Sequence, residues 1–323
     1  MIITRITAGM GNQMFMYAAG LAIAKRLNTV LKLDLLGFTD ESFRKYSLNV
    51  FPNITESAAS LREIWELSPF MAVADYFHVR GNSIFKHPCR RIMYEFMSRA
   101  GFLESGRSQR RAKQPGSVLT PVPFSRLYAP QYFSYSEEFT KVQDNTYISG
   151  CWESERCFAE IAGLVREKFK FPDEYLCSEL SEKIKSCNSA ALHVRRGDKV
   201  EYGSSQEYIR CAIEMISSIT DNPHFFVFSD DINWCRENIP KITVLWGGYT
   251  FIDGNTPAQD MALMTQCKHV IMGPSTFSWW GAWLNDNPNK IVIAPDVNLW
   301  YKAGTYDSED RKHLLPERWI KLG

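Results

Sequence analysis

The chain has 323 residues, room for about two domains at roughly 150 residues each. Hydrophobic residues make up 45% and charged residues 23%, and 37 Lys plus Arg against 36 Asp plus Glu leave a formal net charge of +1. That composition excludes fibrous, collagen-like and disordered chains, and its even charge gives no long-range field for wrapping nucleic acid.

The amino terminus is a short strand-like run into glycines. It lacks the basic region, longer apolar stretch and small-residue cleavage site of a secretory signal. No uncharged apolar run approaches the ~18–20 residues that cross a bilayer. The eight cysteines include no Cys-x-x-Cys pair, so they read as reduced, mostly buried residues rather than zinc ligands. A soluble, cytoplasmic protein is expected.

Residues 2–7 predict a strand, 9–11 a turn, 12–27 a helix and 29–35 a second strand, a β-α-β unit. Gly9 and Gly11 look like part of a dinucleotide fingerprint, with Asp34 near the place of a ribose-binding acid; Met14 stands where the third glycine belongs. Asn12 and Gln13 at a helix start suit neutral hydrogen bonding to a sugar or a phosphate. Further on, residues 78–115 carry nine Lys or Arg against two Glu, in a chain otherwise balanced. Such a run is either a solvated face or a docking surface for an anionic membrane or charged glycan.

The second half alternates strictly. Strands are expected at 189–194, 224–229, 242–246, 269–272 and 291–294, with helices at 206–219, 232–238, 258–267 and 277–285. Apolar strands alternating with helices predict a parallel sheet covered on both faces, whose ligands sit at the carboxyl ends of the strands.

Polar motifs fall at those ends. His193 and Arg195 share one strand face and Arg196 the other. Guanidinium forks match phosphate oxygens, so the pair reads as a diphosphate clamp with His193 beside the nucleotide. An Arg196–Asp198 structural pair is the other reading of the second arginine. Asp230 and Asp231 follow a strand and precede a helix, where they either cap that helix or meet ligand. No two aspartates in the chain are spaced by one residue, which disfavours the metal-dependent Asp-x-Asp way of holding a sugar nucleotide. Thr256, Pro257 and Gln259 meet the capping needs of the next helix, leaving Asp260 able to accept both ring and amino N–H of guanine. Ser275 or Thr276 caps the helix after Gly273 and Pro274, making an anion site of backbone N–H groups with Phe277 and Ser278 in its first turn. Trp279 and Trp283, four residues apart, read as packing.

Together, the run from His193 to Asp198, the turn from Ser229 to Asp231, the segment from Ser275 to Asn285 and the opening Gly11 to Phe15 resemble the α-1,2-fucosyltransferases of glycosyltransferase family 11. The segments Gly150 to Phe158 and Leu315 to Ile320 extend the likeness over all but about residues 50–125. Pro274 and the Cys151-Trp152 pair depart from the family pattern, the latter on the acceptor side.

The resemblance implies an α/β fold of the GT-B type, two facing Rossmann-like domains with the active site in the cleft. Residues 1–170 would form the acceptor side and 171–323 would bind GDP-L-fucose, with the carboxyl-terminal segment packing back on the first domain. Transfer to the 2-hydroxyl of a galactoside would invert the donor linkage without metal or other cofactor. The acceptor would be a galactose-containing oligosaccharide or lipid-linked glycan of a bacterial surface polysaccharide, reached through peripheral membrane contact by residues 78–115. Arg195, Asp198 and His193 become the catalytic candidates. His193, Arg195, Arg196, Asp230, Asp260, Ser275, Thr276, Phe277 and Ser278 become the donor site, and Gly11, Asn12, Gln13, Trp152 and Glu153 the acceptor and donor loop. Asp198 and Glu201 are the carboxylates nearest the clamp in sequence; otherwise the leaving phosphate takes the acceptor proton. A metal-independent GDP-fucose transferase with a different linkage or acceptor, and a nucleotide-dependent oxidoreductase built on the first glycine loop, are the rival readings.

Overall fold

A computed structural model describes residues 1–38, 44–68, 135–197, 204–242, 248–300 and 311–323, with the strand pairing of 127–128. The basic 78–115 segment, Asp198 and Glu201 lie outside the described residues.

The first unit holds β1 (Ile2–Arg5), α1 (Met10–Arg26), β2 (Leu31–Asp34), α2 (Leu61–Leu67), β3 (Leu127–Tyr128) and β4 (Thr146–Ile148). Its strands pair in the order β2-β1-β4-β3, all parallel. Helix α1 is apolar almost all round, as a helix enclosed on more than one side must be. It packs on β1 and also on a helix of the second unit. Its final turn carries Lys25 and Arg26, favourable at the negative end of the helix dipole.

After α3 (Ala162–Lys168), α4 (Asp173–Leu176) and α5 (Glu179–Lys185) comes the second sheet. It is built from β5 (Ser189–Val194), α6 (Gln206–Ile219), β6 (His224–Ser229), α7 (Ile232–Ile242) and β7 (Tyr249–Phe251). There follow α8 (Pro257–Gln266), β8 (His269–Ile271), α9 (Thr276–Leu284), β9 (Val292–Pro295) and β10 (Ile320–Leu322). The strand order β10-β9-β8-β5-β6-β7, again all parallel, is the doubly wound Rossmann order read from its far edge. The fold is thus α/β with two Rossmann-like units of the GT-B type, as expected.

Helix starts agree with their caps. Ser205 accepts from the Tyr208 N–H, Thr256 and Gln259 form a reciprocal capping box, and Ser275 accepts from the Phe277 N–H. Of the strand expected at 242–246, only the first residue is described, and it is helical. Ile242 ends α7, residues 243–247 lie outside the described residues, and the strand beside β6 is β7 at Tyr249–Phe251. Cys235, Ile239 and Ile242 follow a helical period on the apolar face of α7, and that face won over a short run of alternation.

The two units share one core. Phe15 of α1 lies 4.5 Å from Trp279 and 4.8 Å from Trp280 of α9, centroid to centroid. Phe158 stacks on Trp280 at 5.4 Å and meets the edge of Trp283 at 5.3 Å. Such pairs contribute ~0.5–1.5 kcal/mol each beyond the area they bury. The C-terminal segment returns to this seam: β10 pairs with β9, the Arg318 guanidinium grips both Glu155 oxygens at 2.6 and 2.7 Å, and Trp279 donates to the Leu314 carbonyl at 2.8 Å. Among the described residues no helix is long and apolar enough to cross a membrane.

Candidate functional site

Among the described strands each sheet has one topological switch point, and ligands of open α/β sheets bind at the carboxyl-end crevice there. In the second sheet it lies between β5 and β8. The tip of β5 supplies His193 and Arg195, and the turn after β8 leads into α9. His193 is buried, its ring 5.6 Å from that of Phe277. In the first sheet the switch lies between β1 and β4, flanked by the loop into α1 and by residues 149–153.

Arg195 extends to Asp230 after β6, Nη1 to Oδ2, at 2.7 Å. The other Asp230 oxygen accepts the Arg196 backbone N–H at 2.9 Å. Gly197 makes room for this carboxylate, since a Cβ there would sit 2.5 Å from Asp230 Oδ2. Asp230 thus acts through Arg195, holding its fork at the strand tip. A guanidinium fork held in this way has the planar geometry that matches phosphate oxygens.

Arg196 turns to the opposite side, as strand alternation requires. Its Nε lies 3.2 Å from Asp231 Oδ2 and its guanidinium stacks 3.9 Å from the Trp234 ring centroid. Asp231 also caps α7 by accepting from the Trp234 N–H. Of the two arginines expected as a clamp, Arg195 stands at the switch point beside Asp230 and Arg196 beside Asp231 and Trp234. The second is fastened to α7 with Asp231 as a partner; its expected pairing with Asp198 lies outside the described residues.

The hydroxyls of the turn into α9 serve that turn first. Ser278 is buried and donates to the carbonyls of Gly273 and Ser275 at 3.0 and 3.1 Å, and Ser275 is occupied as the cap. Backbone N–H groups at the start of α9, rather than these two hydroxyls, are what the turn offers an anion. The helix carries no acid in its first turn. Its other end is neutralised: Arg166 donates to the Trp283 and Leu284 carbonyls at 2.6 and 3.1 Å, and the Lys290 ammonium donates to the Asn285 carbonyl. Burial, aided by Arg166 and Arg318, pushes the Lys290 ammonium down to about 8.

Across the seam, Gly11 abuts the start of α9. A Cβ on Gly11 would lie 2.5 Å from the Thr276 carbonyl carbon and 2.6 Å from the Phe277 nitrogen. The Gly11 carbonyl accepts from the Trp280 indole at 2.9 Å. The Gly11 side of the first glycine loop is consequently closed by α9, and Asp34 is buried under the Tyr147 hydroxyl and the Leu36 N–H. Neither feature is arranged for a dinucleotide.

Asn12 joins both crevices, its Oδ1 accepting from the Thr276 hydroxyl at 2.5 Å and its Nδ2 donating to Glu153 Oε1 at 3.2 Å. Gln13, expected to meet ligand, is buried with its amide spent on backbone: it donates to the Ala8 and Lys45 carbonyls and accepts from the Ser47 N–H. Trp152, also expected in the acceptor loop, is 1% exposed and packs on Phe139 at 5.3 Å. Its φ of 55° turns the chain so that the indole enters the core while Glu153 faces Asn12. Ala8, in the opposing loop, has φ 62°. The other described non-glycine residues in this region of φ are asparagines, which tolerate it. Strain of this kind costs ~1–3 kcal/mol and gathers at functional sites.

Asp260 stands in the first helical turns of α8, accepting from Asn255 at 3.0 Å. Burial raises its carboxyl to about 6, with Asn255 opposing the rise and Asp253 adding to it. Sequence reading missed Asn255, as well as Ser204, whose hydroxyl accepts the Arg195 N–H at 3.2 Å. Asn255 had a signal, being an amide just ahead of a strong helix cap; Ser204 had none.

The profile described as Glycosyl transferase family 11 matches residues 124–320. The chain is 31% identical to the alpha-1,2-colitosyltransferase of Escherichia coli over 339 aligned positions, spanning 99% of this chain and 98% of the relative. It is 28% identical to the O-antigen biosynthesis glycosyltransferase WbnK of Escherichia coli over 98% of this chain and 99% of the relative. A stretch covering 33% of this chain and 36% of the relative is 37% identical to galactoside alpha-(1,2)-fucosyltransferase 2 of Oryctolagus cuniculus. Matched by the family profile over more than half its residues, and by a 31%-identical relative over 99% of them, the chain belongs to glycosyl transferase family 11.

Proposed function

We propose that the protein moves L-fucose from GDP-L-fucose to the 2-hydroxyl of a galactoside, with inversion, in the synthesis of a bacterial surface polysaccharide. The observation that carries this reading is the convergence of Arg195 and the acid-free start of α9 at the switch point of a Rossmann-ordered sheet. Both would face the diphosphate. As the bond from sugar C1 to the diphosphate breaks, negative charge grows on the leaving GDP, where fixed donors lower the barrier. The acceptor oxygen attacks the opposite face of the sugar and its proton leaves to a base or to solvent. Family membership and the name of the 37%-identical relative support the linkage and the acceptor class.

A second donor is favoured by one finding: the relative aligned end to end at 31% identity is named for colitose, which is fucose without its 3-hydroxyl. Incubating the enzyme with GDP-fucose or GDP-colitose and a panel of galactosides, followed by linkage analysis, tests both. A fucosylated α-1,2 product is expected, formed at an undiminished rate in EDTA. No product from either donor, or loss of activity in EDTA reversed by manganese, overturns the corresponding part.

Asp260 is proposed to read guanine, which requires its charged form. With its carboxyl raised to about 6, affinity for GDP should fall about tenfold per pH unit below pH 6. The apo protein runs the other way: a raised carboxyl makes the native state bind more protons than the unfolded one, so Asp260's contribution to stability improves as pH falls from 6 towards 4. Calorimetric titration with GDP from pH 7 to 5, repeated with Asp260→Asn, checks this. The variant should bind GDP weakly at every pH while affinity for ADP and UDP is unchanged. Equal losses for all three nucleotides would remove guanine reading from Asp260.

A further inference from the structure

The chain of hydrogen bonds through Asn12 has a fixed direction. A carboxylate accepts only, so Glu153 must face the NH2 of Asn12. Glu153 on that side of the amide therefore demands its nitrogen there. Its oxygen is left facing Thr276, which must give up its single hydroxyl hydrogen to it. Towards any third group, Thr276 Oγ1 can then only accept.

That polarity excludes a phosphate oxygen as its partner, since two acceptors repel. It suits a sugar O–H. Thr276 is the first residue of α9 and its hydroxyl points towards Asn12 of the first unit, at the seam. The group lying beyond a diphosphate held at the start of α9 is the sugar it carries.

We propose that Thr276, set by Glu153 through Asn12, accepts a hydrogen bond from a hydroxyl of the donor sugar and so determines which sugar nucleotide is used. The proposal rests on the reading of the protein as a GDP-sugar transferase. Glu153 and Asn12 are positioning residues in it; Thr276 alone touches the sugar.

The test measures binding of GDP, GDP-fucose and GDP-fucose analogues each lacking one hydroxyl. The wild-type protein should bind one analogue about five- to tenfold more weakly than GDP-fucose, the worth of one hydrogen bond. In Thr276→Val, close to threonine in shape, that discrimination should vanish while GDP affinity stays within twofold of wild type; Thr276→Ser should keep it. Glu153→Gln, which frees the amide of Asn12 to turn, should reduce the discrimination and leave GDP affinity unchanged. Equal weakening of GDP and GDP-fucose by Thr276→Val would place the hydroxyl on the phosphates and overturn the proposal, as would discrimination that survives Thr276→Val. Full discrimination in Glu153→Gln would overturn the relay. A wild-type protein that binds neither GDP nor GDP-fucose would sink the functional reading itself, and this inference with it.

Discussion

Arg195→Ala is expected to slow transfer by about a hundred- to a thousandfold, the cost of removing one preorganised donor from a site of developing negative charge. The fold should survive. The Arg195–Asp230 pair is partly exposed, at 20% and 27% of its side-chain surfaces, and pairs screened by solvent contribute ~0–1 kcal/mol. Activity and stability should therefore separate: single-turnover rates collapse while the unfolding midpoint barely moves. Arg195→Lys restores the charge without the fork and should recover only part of the rate. Asp230→Asn should fall between wild type and Arg195→Ala, because it loosens the guanidinium without deleting it. Near-normal turnover in Arg195→Ala would take this arginine out of the reaction.

Gly11→Ala is the second large effect. Its methyl group would meet the backbone of Thr276 and Phe277 within 2.7 Å, and backbone cannot rotate out of the way. Helices α1 and α9 must separate at their starts, straining the Asn12 relay and the anion site together. Overpacking of this kind costs ~1–3 kcal/mol, read as a lowered denaturant midpoint, and transfer should fall at least tenfold under conditions where the variant is still folded. Gly9→Ala is the control. Nothing lies within 4 Å of its added Cβ, so it should cost less than ~1 kcal/mol and leave turnover near normal. Equal behaviour of the two variants would deny the close approach at Gly11.

Much of the second sheet was readable because buried parallel strands are apolar runs and the caps at Ser205, Thr256 and Ser275 announce their helices. Two strands, at 189–194 and 224–229, fell where alternation and apolar content put them. Ile242 was read as a strand start and ends a helix instead, since one turn of apolar helix face and one short strand look alike in so few residues. Site residues were readable by position more than by task. Arg195 and Asp230 do stand at strand ends and Asp260 in the first turn of a helix, yet nothing in the order of residues says that Asp230 serves Arg195 or that Asn12 meets Thr276, 264 positions away. Inward-facing polar groups were hardest. Gln13 and Ser278 carry ligand-type chemistry in ligand-type places and use it on the backbone, and Trp152 goes inward by a backbone twist that side-chain identity does not disclose.

The aromatic seam between α1 and α9 has an evolutionary consequence. Enzymes whose halves meet only across a solvent-filled gap can exchange those halves and gain new specificities by recombination. Here the indoles of Trp279 and Trp280 and the ring of Phe15 interlock, so a foreign partner would leave a greasy, ill-fitting joint. Exchanging halves in this enzyme would therefore require matching changes on both sides of the seam.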